Sequence, residues 1–238
     1  MLADPVLRLG LQGPAHVVRL LLDQARAGSA EAQARLGQAL LDGHGIEQDP
    51  ALALRWFRLA AQAGHPMALN MVGRCLELGW GTAPNLAEAA RHYRAAADAG
   101  LDWGQYNLGN LLSQGRGVPR DLPRALAWYQ RAADCGHAKA MNLVGRFYEE
   151  GWVVAQNLDL AFEWFQRSAL AGDFRGQCSY AAMLVRRGRR AAAAQWLLRA
   201  THTATPGFLQ KIRHAVQAIP GTGFEAVLAR IDQRLAAP

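Results

Sequence analysis

One spacing constrains this chain more than any other feature: glycines recur every 36 residues, at Gly28, Gly64, Gly100, Gly136 and Gly172. Two more ladders keep the step, Gly37, Gly73, Gly109 and Gly145, ending at Ala181, and Gly43, Gly79, Gly115 and Gly151. Aromatic and small residues follow it too: Phe57, Tyr93, Tyr129 and Phe165; Trp56, Trp128 and Trp164, with His92 in the missing place; Ala53, Ala89, Ala125 and Ala161. The stretches "ALNMVGRCLELGW" and "AMNLVGRFYEEGW" are therefore copies two units apart. A period of this length implies a stack of like units, each too small to bury its own apolar face, so that neighbours bury it for one another.

Each unit reads as helix, loop, helix. Apolar and small residues at Tyr106, Gly109, Asn110 and Leu112 follow a helical period, and Gly115 falls where a left-handed residue ends a helix. The second helix starts at an Asn or Asp in every full unit (Asp49, Asn85, Asp121, Asn157), residues that cap exposed N–H groups, with Pro50 and Pro123 in the first turn. It closes at the glycine of the first ladder. The second glycine ladder and the alanines mark close approach of helix backbones, beside which the repeated aromatics fill space as core.

Composition agrees with helix. Apolar residues make up 51% of 238 residues and no region is dense in Val, Ile and Thr. No run of about 18 apolar residues occurs, and the N-terminus lacks an apolar leader core, so a soluble, cytoplasmic chain is expected. The three cysteines contain no CxxC pair, which argues against a disulfide frame or zinc site; Cys75 and Cys135 read as small core residues. The net charge is +7, almost all of the basic residues being arginine, with Lys139 and Lys211 the only lysines. Such a balance suits nucleic acid, an anionic membrane surface or an acidic protein.

The run "GQYNLGNLLSQGRGVPRDLPRALAWYQRAADCG" at 104–136 resembles the Sel1-like repeat (SLR), a relative of the tetratricopeptide repeat (TPR). The resemblance implies an all-α, right-handed solenoid of antiparallel helix hairpins, with four full units at 28–63, 64–99, 100–135 and 136–171. In 172–203 the loop is reduced to "RRGRR", leaving a shortened fifth hairpin. Residues 1–27 are expected to supply an N-terminal capping helix and 204–238 two C-terminal ones, since stacked repeats need atypical ends.

The same resemblance places the first helix of each unit on a concave face and makes that face the expected binding site for a partner protein or peptide. Its positions are Asn70, Arg74, Glu77, Trp103, Tyr106, Asn110, Lys139, Asn142, Arg146, Glu149 and Arg175. The Asn/Arg pairs 70/74 and 142/146 are similar to the residues with which some tetratricopeptide domains hold peptide carboxylates, and a guanidinium matches a carboxylate fork. The alternative is that Arg74 and Arg146 pair with Glu77, Glu149 or Glu150 and only solvate a helix face. The expected ligand is an extended or helical segment of acidic character.

No nucleophile elbow, phosphate loop, HExxH or Cys/His spacing is present, so neither catalysis nor a cofactor or metal is expected. Secreted, cysteine-rich relatives of this repeat family are associated with β-lactam binding or hydrolysis, but this chain lacks their paired cysteines. Arg186, Arg187, Arg189 and Arg190 around Gly188 form a candidate anion patch. The expected function is a non-enzymatic, bacterial-type scaffold or adaptor. The alternatives are a regulator whose basic C-terminal region contacts nucleic acid or an anionic surface, and a hydrolase.

Overall fold

A computed structural model describes residues 13–236. Residues 1–12, on which part of the expected N-terminal cap and the leader reading rest, and residues 237–238 lie outside the described residues. The described residues form thirteen helices and no strand: α1 (Pro14–Arg26), α2 (Ala30–Asp42), α3 (Pro50–Gln62), α4 (Pro66–Leu78), α5 (Leu86–Asp98), α6 (Asp102–Gln114), α7 (Leu122–Asp134), α8 (Ala138–Glu150), α9 (Leu158–Leu170), α10 (Phe174–Arg186), α11 (Arg190–Thr203), α12 (Pro206–Gln217) and α13 (Glu225–Ala236). The chain divides between Asp121 and Leu122 into two compact units. In each unit consecutive helices pack as hairpins, and first helices of neighbouring hairpins also touch, α4 with α6 and α8 with α10. This is an α-solenoid of helix pairs in both units.

Local chemistry sets the helix ends. Asp49 accepts from the Leu52 N–H at 2.9 Å, Asn85 from Glu88 at 3.0 Å and Asn157 from Leu160 at 3.0 Å, so each starts a second helix as a side-chain cap. The backbone N–H of each cap residue also bonds back to the preceding first helix, Asn85 to Leu76 and Asn157 to Tyr148 among them, which closes the loop. First helices α2, α4, α6 and α8 end on Gly43, Gly79, Gly115 and Gly151 with φ of 69–75°, a left-handed conformation that glycine adopts without steric cost. His65 and His137 start α4 and α8: each accepts an N–H three residues on through Nδ1, at 3.2 Å.

The core follows the ladders. Phe57, Tyr93, Tyr129 and Phe165 are fully or almost fully buried, as are Ala53, Ala89, Ala125 and Ala161. The glycines facing them serve a different purpose from the one expected. A Cβ on Gly37, Gly73 or Gly145 would lie 2.8, 2.7 or 2.6 Å from a ring carbon of Phe57, Tyr93 or Phe165, so the glycine makes room for an aromatic ring and not for a second backbone. Backbone approach instead occurs at Gly104, whose Cβ would meet Ala97 N at 2.8 Å. Cys75 is buried as expected, but Cys135 is exposed. It occupies the last position before a left-handed glycine, where the equivalent Ala63, Ala99 and Ala171 also face solvent.

At the C-terminal end of the second unit, α13 packs on α11 and on α12. Leu209, Ile212, Val216, Phe224, Val227 and Ile231 join the core formed by α9, α10 and α11. Gly188 (φ 73°) turns the shortened hairpin between α10 and α11.

Candidate interaction surfaces

In the first unit the candidate residues lie on α4 and α6. Asn70 is only 3% exposed, and its Oδ1 accepts from Asn107 Nδ2 at 2.9 Å, tying α4 to α6. Arg74 is half-buried with its guanidinium 4.8 Å from the Trp80 ring centre. Glu77 accepts from the Tyr93 hydroxyl at 2.7 Å and from Arg116 at 2.9 Å, linking α4 to α5 and to the end of α6. Burial, with the neighbouring carboxylate, holds the Tyr93 phenol far above its ordinary range, so it stays a donor. Trp103 and Tyr106 meet edge to face at 6.2 Å; Trp103 and Met67 are each 40% exposed, and Asn110 is half-buried.

The second unit repeats part of this pattern. Asn142 is buried on α8, but Ser179 stands where Asn107 stands two repeats earlier, and Asn142 Oδ1 accepts no hydrogen bond among the described residues. Arg146 is exposed and stacks on Trp152 at 5.4 Å, as Arg74 does on Trp80. Glu149 accepts from Arg186 at 2.9 Å, joining α8 to α10. Lys139 is half-buried in the first turn of α8. Exposed Arg175 lies against Phe174 and Phe208 at 4.6 and 5.7 Å.

Neither Arg74 nor Arg146 takes a carboxylate of its own helix. Glu77 and Glu149 are held by arginines of the next hairpin, which leaves Arg74 and Arg146 stacked on the tryptophan that follows the helix-ending glycine. The "GR…GW" signature in the two repeated stretches carries this pair, and only the folded loop brings its ends together.

Of the candidate anion patch, Arg186 pairs with Glu149, and Arg187 donates to Asp159 at 2.6 Å while covering Phe162 at 3.7 Å. Arg190 donates to the carbonyls of Pro220 and Thr222. Arg189 is exposed at the start of α11.

A feature with no sequence signal is a cavity of about 290 Å³ where α10, α11 and α12 meet. Cys178, Ala182 and Val185 line its α10 side and Phe208, Ile212 and Ala215 its α12 side. Cys178 and Ala182 occupy in α10 the repeat positions of Asn142 and Arg146 in α8, so this row changes from polar to apolar. Lys211 is the one charged residue in the lining. Burial pushes the Cys178 thiol up to about 12 and the Cys75 thiol up to about 11, which makes both poor nucleophiles near neutral pH. Among the described residues no cluster of three His, Cys, Asp or Glu is arranged to hold a metal, and no helix is long and apolar enough to cross a membrane.

The pattern described for the Sel1 repeat matches residues 30–65, 66–101, 104–137 and 138–173, more than half of the chain. The chain belongs to the Sel1 repeat family. This Sel1 repeat chain is similar in structure to a Sel1 repeat protein from Oxalobacter formigenes, 25% identical, with a TM-score of 0.78 over 88% of each chain. It also resembles a protective antigen present in uropathogenic Escherichia coli strains and displaying an SLR fold, at 24% identity and TM-score 0.74. That match covers 94% of this chain and 49% of the antigen, so the Sel1 repeat chain spans about half of the antigen's length. The fold is shared more distantly with an immunity protein from Pseudomonas aeruginosa, 16% identical, TM-score 0.57, over 87% of this chain and 77% of that one. No curated protein matches the chain.

Proposed function

We propose that this Sel1 repeat chain is a non-enzymatic adaptor that holds a segment of another protein against the first helices of its repeats. The observation that carries this reading is the apolar cavity where α10, α11 and α12 meet, open at α10 repeat positions and flanked by Lys211 and Arg175. An apolar hole beside cations suits a large aliphatic or aromatic side chain with carboxylates next to it. The stacked Arg146 on α8 adds a further guanidinium along the same row, and in the first unit Arg74, Met67 and Trp103 offer a similar mixture of cation and apolar surface. Three unpaired cysteines suit a reducing, cytosolic setting.

Asn70 and Asn142 are poor test positions because both are buried, and their loss would disturb folding as well as binding. Ala182→Phe instead fills the cavity mouth from an exposed position. Affinity capture from the native cell is expected to recover a partner with the unaltered chain and to lose it with Ala182→Phe, and to weaken it with the charge reversals Arg74→Glu and Arg146→Glu. Thermal melting of each variant should stay close to that of the parent. Undiminished capture by all three variants would remove this reading.

A further inference from the structure

The charge is not spread evenly. Residues 122–238 contain fifteen arginines and lysines against eight acidic residues, whereas residues 1–121 contain eleven of each, so the whole excess of +7 belongs to the second unit. Much of that cationic charge is internally engaged. Arg186, Arg187 and Arg213 are ion-paired, and Arg190 and Arg234 donate to backbone carbonyls.

Three arginines are held differently. The second helices α7, α9 and α11 each carry Trp-x-x-Arg at the same repeat position: Trp128/Arg131, Trp164/Arg167 and Trp196/Arg199. The guanidinium carbons lie 4.7, 4.1 and 4.5 Å from the ring centres. All three arginines are exposed, and none forms an ion pair among the described residues. The first unit has no counterpart: Leu59 follows Trp56 and Ala95 follows His92 at the same spacing. Each of these three helices thus presents one exposed guanidinium packed over an indole ring. A stacked arginine loses less freedom when it takes up an acceptor than a free one does.

We propose that this Arg131–Arg167–Arg199 row, on the second-helix side of the second unit, is a docking face for an acidic protein segment whose carboxylates bind the guanidinium edges. A single-stranded nucleic acid fits less well. Its bases need open aromatic faces, and here one face of each indole is covered by arginine while Trp128 is itself buried. Tryptophan and arginine together are also the residues most enriched at protein interface hot spots.

The test uses the full chain, a fluorescein-labelled polyglutamate peptide as probe, and a single-stranded DNA oligonucleotide of equal charge as competitor. Replacing Arg131, Arg167 and Arg199 together with Gln is expected to weaken peptide binding about tenfold without moving the melting temperature. Lysine at the same three positions keeps the charge but loses the planar fork, and is expected to weaken binding as well; it decides the matter if the Gln variant fails to fold. A charge-matched control with Gln at Arg189, Arg213 and Arg230 should bind like the parent. The proposal is overturned by any of four results: no binding by the parent, equal loss in the control, full binding by the folded lysine variant, or tighter binding of the DNA than of the peptide.

Discussion

At the scale of single residues, the aromatic and glycine ladders meet as ring against missing side chain. The contact is tighter at Gly73 than at Gly37, and the two rings differ in freedom: Tyr93 is anchored through its hydroxyl to Glu77, whereas Phe57 has no hydroxyl to anchor. Gly73→Ala is therefore expected to destabilise by about 1–3 kcal/mol despite the better helix propensity of alanine, and Gly37→Ala by less. Releasing the ring with Tyr93→Phe should make the Gly73→Ala penalty smaller, a coupling that a double-mutant cycle in urea would measure. Additive losses would mean that the tether does not matter. The 36-residue phase puts both ladders in the core but reads the glycines as backbone contacts; the ring seated on each glycine, and the tether that holds Tyr93, come only with the fold. Glu77 reads in sequence as a concave-face position or a partner of Arg74, and only the fold brings Tyr93 and Arg116 to it.

Between elements, side chains join one repeat to the next. His65 caps α4 by accepting the Ala68 N–H at Nδ1, which leaves Nε2 carrying the proton and donating to Glu31 of α2 at 2.9 Å. That hydrogen bond, with help from Arg35 and against a smaller opposing effect of burial, lowers the Glu31 carboxyl below its ordinary 4.5. A lowered carboxyl contributes stability that is present above its unfolded value and disappears as pH falls through the folded one. The destabilisation caused by Glu31→Gln should accordingly be measurable near neutral pH and shrink in urea titrations as pH falls below the ordinary 4.5, disappearing once the folded carboxyl is protonated. An unchanged difference at low pH would show that the carboxylate charge is not involved. Helix ends were readable from sequence because Asn, Asp, Pro and Gly act on their own backbone within a few residues. His65 and His137 each follow a glycine of the first ladder, which puts them at helix starts by register, but a histidine cap has no strong sequence preference to announce it.

For the whole molecule, stability in a repeat array comes from each hairpin covering its neighbour, so the last hairpin depends on what covers it. Here α12 and α13 do so, with six large apolar side chains buried in the core of the second unit. Each such side chain contributes about 1.5–3 kcal/mol when fully buried. Truncation after Thr203 is expected to expose Leu197 and Phe174, which face residues of α12, and to unfold α10 and α11 before α8 and α9. Hydrogen exchange should show protection lost from 174–203 while 138–170 remains protected. Uniform loss across these segments would mean that the second unit unfolds as one body. The charge division is also a property of this scale, since composition alone reports +7 and not that one unit carries it.

The sequence by itself determined the repeat, its helix pairs, their caps and the aromatic core, because those depend on contacts that recur at one spacing and on backbone preferences that act locally. Tertiary structure decided which polar groups are available. It buried Asn70 and Asn142, gave Glu77 and Glu149 to arginines of the following hairpin, placed Arg74 and Arg146 on tryptophans, and opened an apolar cavity beside α12. Availability depends on which groups arrive from distant parts of the chain, and a periodic pattern fixes where a residue sits in its repeat but not which partner reaches it.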